Sequence, residues 1–215
     1  VDTLPALSIS THLAQPRALT FVHGDQFITC PYKGSSTALL SSFLSAKNLY
    51  KQSLKYYYLQ YGPLSYRADD VHIIDDTLYL GYGINTDYAL LQKFSETLRI
   101  QVKPLHIEDS SFRCLMEIFC PLDAGHCLAY LPAFETGSKK LLQDEFHVLS
   151  PPYEEVMLGA CNAVVIDEHV LLPSGCEVTQ VLLEQHGYRV SFIKSDPKHY
   201  ARTRNGLGHY LLSTG

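Results

Sequence analysis

The sequence predicts an α+β fold: a single domain, residues 1–215, built from repeated β-β-α-β units. Two observations support this prediction. A hairpin pattern recurs along the chain, in which an apolar strand, a short polar turn and a second apolar strand end at Gly or Pro. The segments after the hairpins repeat as well, with a helical pattern followed by a third strand. Repeats of this length indicate an array of similar supersecondary units, such as a propeller.

The hairpins are the clearest part of the repeat. They are predicted at residues 19–31, 71–81, 115–132 and 163–173. The copy at 71–81 reads VHIIDDTLYLG, and its two adjacent aspartates supply the polar turn between the apolar strands. The alternative is an ordinary α+β domain whose hairpins happen to look alike. That alternative explains the hairpins but not the shared order of the elements that follow them.

Helices are predicted from apolar periodicity at residues 36–50, 86–98 and 177–186, with third strands at 54–60, 102–107 and 188–193. In the second unit one helical face carries Leu90, Leu91, Phe94 and Leu98. Thr86 is expected to be the N-cap of this helix. Gly187 follows the last helix, at the position where a glycine favours helix termination.

Composition excludes several classes of protein. The 46% of hydrophobic and 18% of charged residues are typical of a globular chain, and no apolar run is long enough to span a membrane. The net charge of −5 argues against a nucleic-acid partner. Six cysteines are too sparse for a secreted disulfide scaffold, so we expect reduced thiols in an intracellular compartment, either the cytoplasm or an organelle after leader removal.

Four short segments carry residues suited to chemistry. They are Tyr66-Arg-Ala-Asp-Asp-Val71, Cys114-Leu-Met-Glu-Ile-Phe119, Ala160-Cys-Asn-Ala163 and Asn205-Gly-Leu-Gly-His-Tyr210. Together with the β-β-α-β units, they resemble the pentein superfamily. These are α/β-propellers of five blades that modify guanidino groups, and they include dimethylarginine dimethylaminohydrolase, arginine deiminase and the amidinotransferases. The resemblance covers about residues 19–215.

The resemblance implies a role for each matched position. Asp70 takes the place of the family aspartate that binds the substrate guanidinium, a task that suits the two oxygens of a carboxylate. Cys114 stands where the family has its general acid/base histidine, and Met116 stands where it has a supporting aspartate. His209 matches a family histidine, and Tyr210 occupies the position of the nucleophilic cysteine. Tyr210 is therefore expected to contact substrate rather than to attack it.

These replacements predict a degenerate active site and no catalysis by the family route. The leading expectation is a structural or regulatory subunit of a larger assembly. The alternative is a Cys-dependent hydrolase or amidinotransferase with a rearranged site, in which Cys114 is the nucleophile, His209 is its base and Cys161 is a weaker candidate nucleophile. A third interpretation is a binding module that holds an arginine-like ligand at Asp70. In each case Asp70, Cys114, Cys161, His209 and Tyr210 are expected to meet at the propeller centre.

The number of hairpin units in the chain suggests that the protein has a partner. A five-bladed fold needs more chain than four hairpin units, so the first blade is expected to be incomplete and to leave a sheet edge that needs a cover. This predicts a protein partner, with Tyr56–Tyr58 and Val1–Gln15 as the contact surfaces to test first. No cofactor is expected. His126 and Cys127, with Cys120 across the hairpin, could hold a metal, but adjacent strand residues face opposite sides, so no metal site is expected.

Overall fold

The computed structural model describes residues 64–193 in full and, of the preceding chain, the backbone of residues 20–23, 26–29 and 55–57. These residues form four separate sheets of three strands each. In every sheet the first two strands are an antiparallel hairpin, and the third strand runs parallel to the second. A parallel third strand requires a crossover connection. The second, third and fourth units each place a helix in that crossover, so the β-β-α-β unit is confirmed.

The strands are β1 (Thr20–His23), β2 (Gln26–Thr29), β3 (Lys55–Tyr57), β4 (Val71–Ile74), β5 (Thr77–Tyr82), β6 (Gln101–His106), β7 (Phe119–Pro121), β8 (His126–Ala129), β9 (His147–Leu149), β10 (Val164–Ile166), β11 (His169–Pro173) and β12 (Arg189–Ile193). The helices are α1 (Leu90–Leu98), α2 (Thr136–Glu145), α3 (Tyr153–Val156) and α4 (Glu177–Gln185). Short 3₁₀ turns occupy Ala68–Asp70, Leu115–Glu117, Leu131–Ala133 and Ala160–Asn162. Consecutive groups of three strands form four blades, which we number first to fourth along the chain. The incomplete blade that we expected near Val1–Gln15 lies outside the described residues.

The third blade contains elements that the sequence reasoning missed. Helix α2 and strand β9 complete it as a full β-β-α-β unit. The helix escaped detection because it carries only two large apolar residues, Leu141 and Leu142, too few to make an apolar stripe. Ser138 lies on its buried side and accepts a hydrogen bond from the backbone N–H of His106, at 2.8 Å.

Two local predictions are wrong. Helix α1 begins at Leu90 rather than near Thr86, and its N-cap is Ala89, because the Thr86 hydroxyl is used in a buried contact with Asp70. The third hairpin begins at Phe119 rather than at Leu115, because Leu115–Glu117 forms a 3₁₀ turn. The predicted helix at 36–50 lies outside the described residues, and the prediction of one domain over 1–215 stays a prediction.

Two clusters of buried apolar residues form the core of the second to fourth blades. Leu90, Phe94 and Leu98 of α1 pack on the second sheet and on Tyr66, forming a small cluster of their own. A larger cluster runs from Tyr79 in the second blade through the third blade to Leu183 in the fourth. Burial of apolar surface across blade boundaries is what holds these repeats together. Among the described residues, no helix is both long and apolar enough to cross a membrane.

Candidate active site

Three 3₁₀ turns form the centre of the candidate site, and we call them the central turns: Ala68–Asp70, Leu115–Glu117 and Ala160–Asn162. Each immediately precedes the first strand of a hairpin, in the second, third and fourth blades respectively. The first turn contacts the second, and the second contacts the third. The pseudo-symmetric blades thus bring together segments that are distant in sequence. Leu115 and Asp70, for example, are 45 residues apart.

Asp70 is the link between the first and second central turns. Its Oδ1 accepts a hydrogen bond from the backbone N–H of Leu115 at 2.8 Å, and its Oδ2 accepts one from the Thr86 hydroxyl at 2.6 Å. Gly81 lies beneath this contact, where a Cβ would come within 2.7 Å of the Leu115 Cβ and 3.2 Å of Asp70 Oδ1. A side chain at position 81 would therefore push the two turns apart.

The charge on Asp70 depends strongly on its surroundings. Complete burial, followed by repulsion from Asp69, raises the pKa of Asp70 to about 8. The hydrogen bonds from Thr86 and Leu115 and the charge of Arg67 oppose this rise without cancelling it. Asp70 is accordingly poised to lose its proton when another cation approaches, because a nearby positive charge favours the carboxylate.

The guanidinium of Arg67, the residue before the first central turn, pairs with the Asp69 carboxylate within that turn. Arg67 Nε donates to Asp69 Oδ1 at 2.7 Å, and Arg67 Nη2 donates to Asp69 Oδ2, so the pair is bidentate. Asp69 is completely buried, and only the guanidinium side of the pair reaches solvent. Although burial lowers it, the charge and hydrogen bond of Asp69, with Cys114 and Asp70, keep the pKa of Arg67 above its ordinary value. This segment therefore has the geometry that recognises a guanidinium.

Cys114 lies beside these charged groups. Its thiol is 1% exposed, at the N-terminal boundary of the second central turn. Burial raises the pKa of Cys114 well above its ordinary value; Asp69, Glu117 and Asp70 raise it further, and Arg67 lowers it. The thiol is therefore protonated in this state. A cation added nearby would act in the same direction as Arg67 and favour the thiolate.

Glu117 is a buried carboxylate near Cys114, and its charge contributes to the raised pKa of that thiol. The 3₁₀ turn buries Glu117 completely, together with Met116. The Glu117 carboxylate accepts hydrogen bonds from Arg113 at its backbone N–H (2.9 Å), Nε (3.0 Å) and Nη2 (2.8 Å). Alternation of faces applies to strands and not to a 3₁₀ turn, which has three residues per turn.

Cys161 occupies a different chemical environment in the third central turn. Its thiol is completely buried, and burial, followed by the neighbouring Cys120 and Cys127, raises its pKa well above the ordinary value. A backbone hydrogen bond with Tyr130 opposes this rise. The groups that act on Cys161 are thus other cysteines and a backbone group of Tyr130, whereas those that act on Cys114 are charged side chains.

His209 and Tyr210 lie outside the described residues, so their place at the centre stays a prediction. The sequence reasoning missed Asp69, Thr86 and Glu117 as members of the central region. The Arg-x-Asp pattern at 67–69 was the available signal for the ion pair. In the described part of the chain, no three or more His, Cys, Asp or Glu side chains are grouped so as to hold a metal ion.

The propeller of repeated β-β-α-β units is the pentein fold, and the resemblance to penteins is confirmed by comparison with solved structures. The N-terminal domain of ArgZ, solved with a covalently bound reaction intermediate, superposes with a TM-score of 0.85 and 18% identity over 98% of this chain and 78% of that one. Dimethylarginine dimethylaminohydrolase from Pseudomonas aeruginosa, solved as a mutant with citrulline, gives a TM-score of 0.76 and 20% identity over 91% of this chain and 74% of that one.

Sequence comparison points to the same group of proteins. The chain is 26% identical over 120 residues to the bifunctional arginine dihydrolase/ornithine cyclodeaminase ArgZ of Synechocystis sp.. The match covers 53% of this chain and 16% of ArgZ, so the chain corresponds to a small part of that relative. No protein-family model matches the chain.

These comparisons contradict the expectation of a non-catalytic structural or regulatory subunit. The similar proteins are arginine dihydrolases, and one of them has been captured with a covalent reaction intermediate. The prediction relied on replaced residues at three motif positions. Those replacements alter one arrangement of nucleophile and base, but the described site still contains the Cys114 thiol, the Asp70 carboxyl group and the Arg67–Asp69 ion pair.

Proposed function

We propose that this chain is a Cys-dependent hydrolase acting on the guanidino group of an arginine-like substrate. The observation that carries the proposal is the meeting of Cys114 with Asp69 and Asp70 at the central turns, tied together by the bond from Leu115 N–H to Asp70. The likeness to arginine dihydrolases supports the substrate class. The activity of the longer relatives as whole proteins is not implied by this partial match.

The substrate-binding part of the proposal rests on the carboxylates. An ionised carboxylate has about four lone-pair sites, and Asp70 uses one on each oxygen for Leu115 and Thr86. The remaining lone pairs are available to a planar guanidinium. Binding of that cation would drive the proton from Asp70, since it adds the favourable charge that the buried carboxyl lacks.

The proposed chemistry is nucleophilic. The Cys114 thiol loses its proton, with His209 proposed as the base, and Sγ attacks the guanidinium carbon to form an S–C bond. The C–N bond to the leaving amine breaks, and the amine departs with a proton. Water then attacks the same carbon, and the C–S bond breaks to return the thiol. The substrate cation assists the first step because it lowers the pKa of Cys114, as Arg67 already does.

Cys114 is proposed as the nucleophile in preference to Cys161. The charged groups that act on Cys114 include Asp69 and Asp70, whose carboxylates suit a guanidinium, whereas those that act on Cys161 are thiols and a backbone group of Tyr130. A structural thiol in apolar surroundings is chemically inert. Cys161 therefore serves as the matched control: it lies in an equivalent central turn and is equally buried.

The test is an assay of amine, ammonia and ureido-product release from arginine, methylated arginines and agmatine. We expect turnover by the wild-type chain, its loss in Cys114→Ser, and its retention in Cys161→Ala. A covalent adduct on the peptide that contains Cys114, detected by mass spectrometry after acid quenching with substrate, would support the nucleophile directly. Absence of turnover with every substrate, or full activity in Cys114→Ser, would overturn the proposal. Transfer of the amidino group to an added amine instead of water would identify an amidinotransferase.

A protein partner and a reducing compartment are further proposals. The five described cysteines are all free thiols, which supports a reducing environment. The surfaces proposed for a partner, Tyr56–Tyr58 and Val1–Gln15, carry no described side chains.

A further inference from the structure

A pair of histidines bridges the third and fourth blades, away from the central turns. His147 begins strand β9, and His186 follows the last residue of helix α4. Their Nε2 atoms lie 3.2 Å apart on the protein surface. His147 pairs with His126, which begins β8 at the turn end of the third hairpin. The second central turn lies at the opposite end of that hairpin, so the pair is separate from the candidate active site.

The hydrogen bonds of His186 determine which of its nitrogens is free to bind. His186 Nδ1 lies 2.8 Å from the backbone carbonyl of Leu182. A carbonyl oxygen only accepts, so Nδ1 must carry the proton, and Nε2 of the neutral ring presents its lone pair. A backbone carbonyl bound to the second ring nitrogen is the partner that metal-binding histidines usually have.

His147 supplies the second nitrogen. In the metal-free contact its Nε2–H donates to the lone pair of His186 Nε2. A change of tautomer moves that proton to Nδ1, and both Nε2 atoms then carry a lone pair.

The distance between the two nitrogens fits a metal ion. With metal–nitrogen bonds of about 2.05 Å, two ligands are about 2.9 Å apart at a right angle and about 3.3 Å apart at the tetrahedral angle. The 3.2 Å separation of the two Nε2 atoms lies within this interval.

The surroundings favour a cation. His126 lies beside the pair, with ring centroids 5.7 Å from His147 and 6.0 Å from His186. Its Nδ1 is 3.2 Å from the Asp123 carboxylate, which also accepts from the Tyr188 hydroxyl. Although partial burial raises it, hydrogen bonds from Tyr188 and the Gly125 and His126 backbone hold the pKa of Asp123 below its ordinary value. A carboxylate charge is thus kept beside the His126 ring, which itself lies next to the pair.

We propose that His147 and His186 form a surface chelate for a transition-metal ion of the imidazole-preferring class, such as Zn²⁺, Ni²⁺ or Cu²⁺. Two histidine nitrogens hold the ion, and water completes its coordination. The ion joins strand β9 of the third blade to helix α4 of the fourth. It binds only the folded arrangement, so it stabilises the contact between these blades.

The test is calorimetric titration of the untagged chain with Zn²⁺ and with Ni²⁺, in a buffer that does not bind metals. We expect one ion per wild-type chain. His147→Asn and His186→Asn should each weaken binding at least about tenfold, because each removes one of two protein ligands. His169→Asn is the matched control. His169 is a surface histidine of the fourth blade whose Nε2 lies 2.9 Å from Ser191 Oγ, and its replacement should leave binding unchanged.

Thermal unfolding supplies an independent readout. Saturating metal should raise the melting temperature of the wild type and of His169→Asn, and should leave those of His147→Asn and His186→Asn unchanged. Metal-free melting temperatures close to wild type would show that the variants are folded. No saturable binding to the wild type, or undiminished binding to His147→Asn and His186→Asn, would overturn the proposal.

Discussion

Replacement of Asp70 by asparagine should change how stability depends on pH. The amide keeps the shape of the side chain and an oxygen that accepts from the Leu115 N–H, but it has no proton to exchange. In the folded wild type, burial and the neighbouring Asp69 raise the pKa of Asp70 from its ordinary 3.8 to about 8. Between these two values the folded chain holds a proton that the unfolded chain has released.

The sign and size of the effect follow from proton linkage. A carboxyl whose pKa is raised by folding contributes stability that is fully present below the unfolded pKa and is lost as the pH rises through the folded pKa. The slope is at most about 1.4 kcal/mol per pH unit for one proton. Between about pH 5 and pH 7.5, Asp70 should therefore reduce the free energy of unfolding by up to about 3 kcal/mol, and Asp70→Asn should remove this decline.

Urea unfolding of both proteins across this pH range measures the difference. Asp76→Asn is the control, since Asp76 is exposed in the turn of the same blade's hairpin and its replacement should leave the wild-type slope intact. If the curves of wild type and Asp70→Asn run parallel, Asp70 is ionised in the folded chain, and the assigned effect of burial is wrong.

Three further predictions address the ion pair, a helix cap and the thiols. Arg67→Met should lower the free energy of unfolding by about 3–5 kcal/mol because it leaves Asp69 buried without its ion-pair partner; adding Asp69→Asn should recover much of this loss in urea unfolding. Glu155→Gln should lower the free energy of unfolding by about 1–2 kcal/mol, because this carboxylate accepts hydrogen bonds from two N–H groups at the start of α4. Glu154→Gln is the control, since Glu154 is exposed and its replacement should hardly change the free energy of unfolding in the same assay. Iodoacetamide should label Cys114 much more slowly in the native chain than in urea, as followed by peptide mass spectrometry, because the thiol is buried and its pKa is raised; equal rates would contradict its burial.

Functional interpretation from motifs was the weakest part of the sequence reasoning. Tyr210, Cys114 and Met116 were compared with single family positions, and their differences suggested a loss of catalysis. The similarity to arginine dihydrolases contradicts that suggestion. Chemistry depends on which groups meet in space, and residue identity at three aligned positions does not reveal the charges that surround Cys114.

The sequence by itself determined the elements whose signals are local. The hairpins at 71–81 and 163–173 follow from alternating apolar residues and a polar turn, and helix α1 follows from its apolar face. These patterns extend over a few residues, so they can be recognised without knowledge of the rest of the chain. The order of such elements, together with four short motif segments, suggested the resemblance to the pentein fold.

The tertiary structure alone decided the elements that depend on distant contacts. Helix α2 has too weak an apolar pattern to be predicted, and it is positioned by contacts such as that between Ser138 and the His106 backbone. The turn at Leu115–Glu117 replaced an expected strand where its first N–H meets Asp70 of another blade. Likewise, the two histidines that face each other at 3.2 Å are 39 residues apart. Their proximity results from packing of one blade against the next, and no local sequence pattern encodes it.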